Sequence, residues 1–208
     1  MKKIIKDALI LFAITVISGL LLGFVYKVTK EPIEEQNEKA KISAYNSVFD
    51  TLEKYEEIKE LEAAQDAVRE AGYTGVTLNE AVRAFDAQGK ELGMIITVTD
   101  ADGYGGNIKM TLGIDVSGTI TGLEILEISE TAGLGMKAKD AAFREQFKGI
   151  KAERVEYTKN GKTKDNEIDA ISSATITTRA VTAGVNGALA AYRVLGNSPS
   201  AKGGGVNE

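Results

Sequence analysis

The 208-residue sequence predicts an α+β protein, with an N-terminal transmembrane helix, a helical stalk, and a domain whose antiparallel sheet is flanked by helices. Three observations predict it. Residues 8–26 form an uncharged apolar run, two segments between residues 80 and 129 alternate apolar and polar side chains around short turns, and residues 175–195 form an Ala- and Val-rich stretch at helical spacing.

The run from Ala8 to Tyr26 holds nineteen residues, about the number that crosses a hydrocarbon core of roughly 30 Å as a helix. A cleavable signal peptide is the alternative, but the run exceeds the usual 7 to 15 or so residues and no small-x-small cleavage site follows it. Lys2, Lys3 and Lys6 precede the run and Lys27 and Lys30 follow it. That bias places the N-terminus in the cytoplasm and the body on the extracytoplasmic side of the cell membrane, held by a single pass. Thr15, Gly19 and Gly23 recur every four residues, either as a strip for a second membrane helix or as incidental small residues.

Residues 31–79 read as an acidic helical stalk. Residues 31–80 hold thirteen acidic and five basic side chains, and Ile33, Asn37, Ala40, Ala44 and Val48, then Leu52, Tyr55 and Ile58, suggest helices with one packed face. A domain over residues 80–195 follows. Its alternating segments predict two strands around Gln88-Gly89-Lys90 and two more around Val116-Ser117-Gly118. Residues 139–147 have helical spacing, 151–157 form a further candidate strand, and 175–195 a long helix. Residues 196–208 lack period and apolar content, which predicts a disordered tail.

Composition narrows the chemistry. The chain contains no His, Cys or Trp, which excludes a Ser-His-Asp triad, a Cys-His pair, zinc sites of N and S ligands, thiolate iron–sulfur clusters and His- or Cys-ligated haem. No metal ligands and no catalytic residues are expected, so redox work requires an organic cofactor. The net charge is −5, but residues 1–30 carry five Lys and one Asp, leaving 20 basic and 29 acidic residues in the body. Without a basic stripe, nucleic acid is not an expected partner.

Two loops carry the functional signal. Residues 169–181 lead from a polar loop through Ser172, Ser173 and Ala174 into the long helix. A helix start lined by small side chains suits phosphate, although on these residues alone plain capping by Ser172 or Ser173 is the simpler reading. Residues 129–136 place Gly133 and Gly135 on either side of Leu134. Such a loop can approach a planar ligand with Leu134 over its apolar face, or it can be a tight turn. Tyr104, in the Gly-rich segment 102–106, can stack on a ring or fill a core edge.

Together the segments resemble the FMN-binding domain shared by RnfG, the G subunit of the Rnf ion-translocating electron transport complex, and the C subunit of the sodium-translocating NADH:quinone reductase. The resemblance covers nearly the whole chain, and Ile176-Thr-Thr-Arg-Ala-Val181 is similar to RnfG. It implies FMN attached covalently through its phosphate to Thr175, with Asp169, Ser172, Ser173 and Ala174 forming the rest of the attachment motif. It also implies an isoalloxazine site at Glu130, Thr131, Gly133, Leu134 and Gly135, with Tyr104 nearby. Two positions depart from the family pattern. Ser173 stands for the usual Gly, adding a Cβ and a hydroxyl beside the expected phosphate, and Ala132 stands for Pro, loosening the loop.

The implied role is an electron-carrying flavoprotein subunit in a complex that couples ferredoxin:NAD oxidation–reduction to Na⁺ or H⁺ transport. No complete active site is expected in the isolated chain, and no Gly-rich dinucleotide fingerprint stands between a strand and a helix. The implied partners are the other membrane and redox subunits of the Rnf complex, the membrane itself and a flavin transferase for maturation. The alternatives are the C subunit of the quinone reductase and a flavin-free anchored structural or sensing domain.

Overall fold

The computed structural model describes residues 2–197, so residues 198–208, most of the expected tail, lie outside the described residues. The described residues form two compact units, which divide between Ile42 and Ser43.

In the first unit the main element is helix α1, which spans Lys2–Val48 and so continues beyond the unit. It is long and apolar enough to cross a membrane. Leu9, Phe12, Leu20 and Phe24 are all exposed, as side chains facing lipid must be. The Thr15 hydroxyl donates to Phe12 O at 2.8 Å and the Thr29 hydroxyl to Val25 O at 2.9 Å, so neither polar group depends on water. The sequence reading divides the anchor from the stalk after residue 30, yet α1 runs through that boundary and through Pro32. Proline removes one N–H from the ladder without forcing a stop when the chain on both sides favours helix.

The second unit is built on a five-stranded antiparallel sheet in sequential order. Its strands are β1 (Lys54–Glu57), β2 (Val76–Phe85), β3 (Glu91–Asp100), β4 (Ile108–Asp115) and β5 (Ile120–Glu127). β2 to β5 match the four alternating segments. Both turns are closed by an Asp side chain. Asp86 Oδ1 accepts from the amides of Gln88 and Lys90, at 2.9 and 2.8 Å. Asp115 Oδ1 accepts from those of Ser117 and Thr119, at 2.8 and 2.9 Å.

Part of the stretch read as stalk belongs to this unit, which begins at Ser43 rather than at residue 80. Tyr55 lies on β1, not on a helix, because β1 pairs with the edge of β2 and the Tyr55 ring packs edge-on against Tyr45 with centroids 5.4 Å apart. Helix α2 (Glu62–Glu70) follows and buries Ala64 and Val68.

Period-two alternation divides the sheet into two packed faces. Met94, Ile96 and Val98 of β3 and Met110, Leu112 and Ile114 of β4 belong to the main core, with Val181, Val185 and Leu189 of the long helix. Ile95, Val82 and Ala84 join a second cluster with Tyr45 and Val48 from the end of α1 and Phe49 just after it. Gly113 and Gly122 pair across β4 and β5 and leave a slot for Val48. A Cβ on Gly113 would stand 2.8 Å from Val48 Cβ, and one on Gly122 would stand 3.2 Å from Val48 Cα.

The segment 139–147 is less regular than its spacing suggests. A 3-10 turn (Gly135–Lys139) is followed by one helical turn, α3 (Ala141–Arg144), and a second 3-10 turn (Glu145–Phe147). Strand β6 (Glu156–Thr158) falls at the end of the predicted 151–157 strand, and it pairs in parallel with β7 (Glu167–Asp169), which has no strand signature in the sequence. Helix α4 (Thr175–Asn197) closes the unit. The buried Asn186 of α4 accepts from Val155 N–H at 2.7 Å and donates to Val155 O at 2.9 Å, fixing the helix beside the β6–β7 pair.

Candidate functional site

Three segments converge at one end of the sheet: the loop between β3 and β4, the loop after β5, and the first turn of α4. Glu130 joins the first two. Its side chain is buried, and Oε1 accepts from the amides of Tyr104 at 2.8 Å and Gly105 at 3.3 Å. Gly135 joins the second and third. A Cβ there would stand 2.6 Å from both Glu130 Oε2 and Thr177 Oγ1, so only glycine lets the loop close on the helix. Close packing of Gly103 and Gly105 against Glu130 and the Ser129 carbonyl completes the junction.

Glu130, expected beside a bound ring, therefore turns its carboxylate into the loop backbone. Thr131, Gly133 and Leu134 form an exposed turn closed by Leu134 N–H and Met136 N–H, both donating to Thr131 O at 3.2 Å. Gly133 has φ of 75°, the left-handed region that glycine enters freely.

The attachment motif sits on β7 and the connection into α4. Asp169 is exposed. Its amide donates to Gln146 Oε1 at 2.7 Å, while Gln146 Nε2 donates to Asp169 O at 3.4 Å, so one amide side chain brackets the entry to the loop. Ser172 and Ser173 are exposed and Ala174 is buried. Capping does not fall to the serines. The Thr178 hydroxyl accepts from Ile171 N–H and donates to Ala174 O, both at 3.0 Å, and so closes the loop from inside the helix. Ser173 has φ of 62° and is, among the described residues, the one non-glycine in the left-handed region. Glycine would enter that region freely, whereas Ser173 occupies it under strain.

The hydroxyls of this segment differ in access. Thr175 is half-buried, whereas Thr177 and Thr178 are 1% and 0% exposed. The first amide to enter the helical ladder is that of Thr178, bonded to Ala174 O at 3.0 Å. The amides of Thr175, Ile176 and Thr177 precede it, at the positive end of the helix dipole.

Tyr104, Leu134 and Ile176, one from each converging segment, are 71%, 41% and 42% exposed. Among the described residues of the second unit, the other exposed large apolar side chains are only Tyr55 and Val116. Exposed apolar groups thus gather where the loops meet the helix. Ile176 opens the RnfG-like segment, but nothing in the sequence singles it out as a site residue.

Asp100, at the end of β3, is a further residue that the sequence does not single out. It is 1% exposed. Its Oδ1 accepts from Asp102 N–H at 2.8 Å, while Oδ2 is buried without a hydrogen-bond partner among the described residues. Burial raises its carboxyl above the ordinary range. The Asp102 amide opposes that shift, the Asp102 charge adds to it, and the Arg179 guanidinium opposes it. A strand-end Asp before Ala-Asp-Gly reads as a turn residue, and residue type alone does not reveal its burial.

The fold and these loops define a flavin-binding domain preceded by a helix of membrane-spanning length: residues 103–190 match the FMN-binding domain family, and residues 1–48 match the RnfG N-terminal region. The chain is 33% identical over 199 residues to the G subunit of the Na⁺-translocating ferredoxin:NAD⁺ oxidoreductase complex of Acetobacterium woodii, covering 93% of this chain and 94% of that one. It is 28% identical over 196 residues to the G subunit of the proton-translocating ferredoxin:NAD⁺ oxidoreductase complex of Clostridium ljungdahlii, covering 88% and 92%. The crystal structure of the C subunit of the Na⁺-translocating NADH-quinone reductase from Parabacteroides distasonis shares the fold, with a TM-score of 0.57, 21% identity and coverage of 80% and 96%. The chain belongs to the RnfG family, the G subunits of ion-translocating oxidoreductase complexes.

Proposed function

We propose that this chain carries FMN as a phosphoester of Thr175 and relays electrons between redox subunits of an ion-translocating ferredoxin:NAD⁺ oxidoreductase complex, with its flavin domain on the extracytoplasmic side. One observation carries the reading: the sheet-end junction brings the exposed Tyr104 and Leu134 beside a helix start whose accessible in-helix hydroxyl is Thr175. The names of the relatives support the complex, and the Lys bias around the apolar run supports the orientation.

The residues present fit the cofactor. The esterified oxygen must reach solvent during attachment and lie beside free amides afterwards. Thr177 and Thr178 fail the first condition, being buried. Ser172 and Ser173 precede the first turn. Thr175 meets both conditions, and the amides of Thr175, Ile176 and Thr177 offer donors to the phosphate. Leu134, Tyr104 and Ile176 supply apolar cover for a planar ring, and Glu130 holds the two loops in register. FMN, when bound, supplies reversible electron acceptance that no side chain here provides.

The full chain, coexpressed with a flavin transferase, should show flavin fluorescence in a denaturing gel and the mass increase of one esterified FMN. Thr175→Val keeps the β-branched shape and should lose both signals, whereas Ser172→Ala, Ser173→Ala and Thr177→Val should keep them. Covalent flavin on the Thr175→Val protein overturns the assignment. A C-terminal reporter active in the cytoplasm overturns the orientation.

A further inference from the structure

We propose that Asp100 is a redox-linked proton site: its carboxylate takes up one proton from water when the flavin at the neighbouring junction is reduced, and releases it when the flavin is reoxidised. This inference rests on the flavin reading above.

Geometry separates Asp100 from an ordinary turn residue. It ends β3, where the loop that carries Tyr104 begins, and it is 1% exposed. One oxygen is satisfied by Asp102 N–H at 2.8 Å, and the other is buried with no hydrogen-bond partner among the described residues. A turn-closing Asp needs only the first oxygen, as the more accessible Asp86 shows in the β2–β3 turn. A second oxygen shut away from water makes the ionised form costly relative to the protonated one.

The charged groups facing Asp100 are Asp102 on its own loop and Arg179 on α4. Arg179 lies four residues after Thr175, about one helical turn along α4. The cation that favours the ionised form is therefore shared with the neighbourhood of the cofactor. Negative charge added there competes for Arg179 and tips Asp100 toward its protonated form. Burial already holds the carboxyl above the ordinary range, and negative charge added nearby pushes it further in the same direction.

The exchange balances. An electron pair enters the flavin from a low-potential redox protein of the complex, or from dithionite in vitro. One proton passes from water to Asp100, forming an O–H bond that breaks when the pair leaves.

The test uses the full flavinylated chain in detergent. Its flavin midpoint potential, followed against pH, should carry an extra slope between the Asp100 pKa of the oxidised and of the reduced protein. One proton per two electrons is a tenfold change per pH unit, converted at about 30 mV. Asp100→Asn keeps the acceptor for Asp102 N–H and should abolish the extra slope. Reduced-minus-oxidised infrared difference spectra should show a protonated-carboxyl band in wild type that the variant lacks. Arg179→Gln should move the sloping region to higher pH and Asp102→Asn to lower pH, opposite shifts that a purely structural Asp100 does not produce. A flavinylated Asp100→Asn protein with the wild-type potential–pH curve and infrared spectrum overturns this proposal and leaves the flavin reading standing. Absence of covalent flavin from the wild-type chain overturns the flavin reading itself, and this proposal with it.

Discussion

Removing the Glu130 carboxylate should loosen the junction on which the proposed site depends. Glu130→Ala deletes a hydrogen bond of 2.8 Å to Tyr104 N–H and a longer one of 3.3 Å to Gly105 N–H. A bond to a charged acceptor contributes about 1.5–3 kcal/mol and an ordinary one about 1 kcal/mol. Tyr104 and Gly105 are exposed, so water replaces part of what is lost, and a net cost of about 2 kcal/mol is expected. For a unit of this size that corresponds to a drop in Tm of about 4–8 °C. Glu130→Gln keeps one acceptor in place and should cost about half as much. Urea unfolding of the full chain in detergent, followed by tyrosine fluorescence because the chain has no Trp, measures both variants. The slope m should stay constant, since neither change alters the surface exposed on unfolding. A Glu130→Ala midpoint within about 0.5 kcal/mol of wild type would show that the carboxylate does not hold the loops together.

Ser173→Gly should stabilise the protein by roughly 0.5 kcal/mol, because relief of the left-handed φ of 62° outweighs the greater freedom of glycine in the unfolded chain; Ser173→Val should destabilise it by more than about 1 kcal/mol, and thermal melts check both. Thr178→Val removes the acceptor for Ile171 N–H and should cost about 1–2 kcal/mol in the same melts while still permitting covalent flavin. Glu167 is held down to about 2 from 4.5, first by Thr163 N–H and then, against some loss of hydration, by the Thr163 hydroxyl and Lys164. Its support for the segment joining β6 to β7 is therefore complete above pH 4.5 and lost as pH falls toward 2. Amide-exchange protection at Thr163 and Lys164 should collapse in that window, and Glu167→Gln should remove the pH dependence.

Legibility in the sequence follows the physical origin of each element. β2 to β5 are readable because their alternation is dictated by a two-faced sheet, and their turns because Asp and Gly have local reasons to stand there. α4 is readable from its Ala and Val content. β1 is not, since Lys54-Tyr-Glu-Glu57 has every side chain exposed and becomes a strand only by pairing with β2. β7 is hidden for a similar reason: three residues are held by β6, by Gln146 and by the Glu167 staple. Among the candidate site residues, Thr175, Leu134 and Tyr104 stand out by their surroundings in sequence. The inward turn of Glu130 and the burial of Asp100 depend on loops meeting across the fold, which residue type and spacing do not encode.

The slot between Gly113 and Gly122 makes the end of α1 part of the flavin domain's own packing, and a double-mutant cycle can measure it. Gly113→Ala places a Cβ 2.8 Å from Val48 Cβ and 3.0 Å from Val48 Cγ2, with Thr121 Oγ1 also in the way. Thr121 can rotate aside. Val48 cannot, because Gly122 packs on its backbone and it is 3% exposed. Overpacking of this kind costs about 1–3 kcal/mol. Val48→Ala alone removes two methyl groups from a buried site and should cost about 2 kcal/mol. In the double variant Val48→Ala removes the Cγ2 that stands 3.0 Å from the new Cβ and gives the Cβ that remains, at 2.8 Å, room to shift, so the combined cost should fall short of the sum. Urea midpoints of the four proteins give that difference. Strict additivity would mean that the two positions do not share a cavity, and the seating of residues 43–49 on the back of the sheet would then have to be assigned to Tyr45 and Phe49, the other buried side chains of that segment in the second cluster.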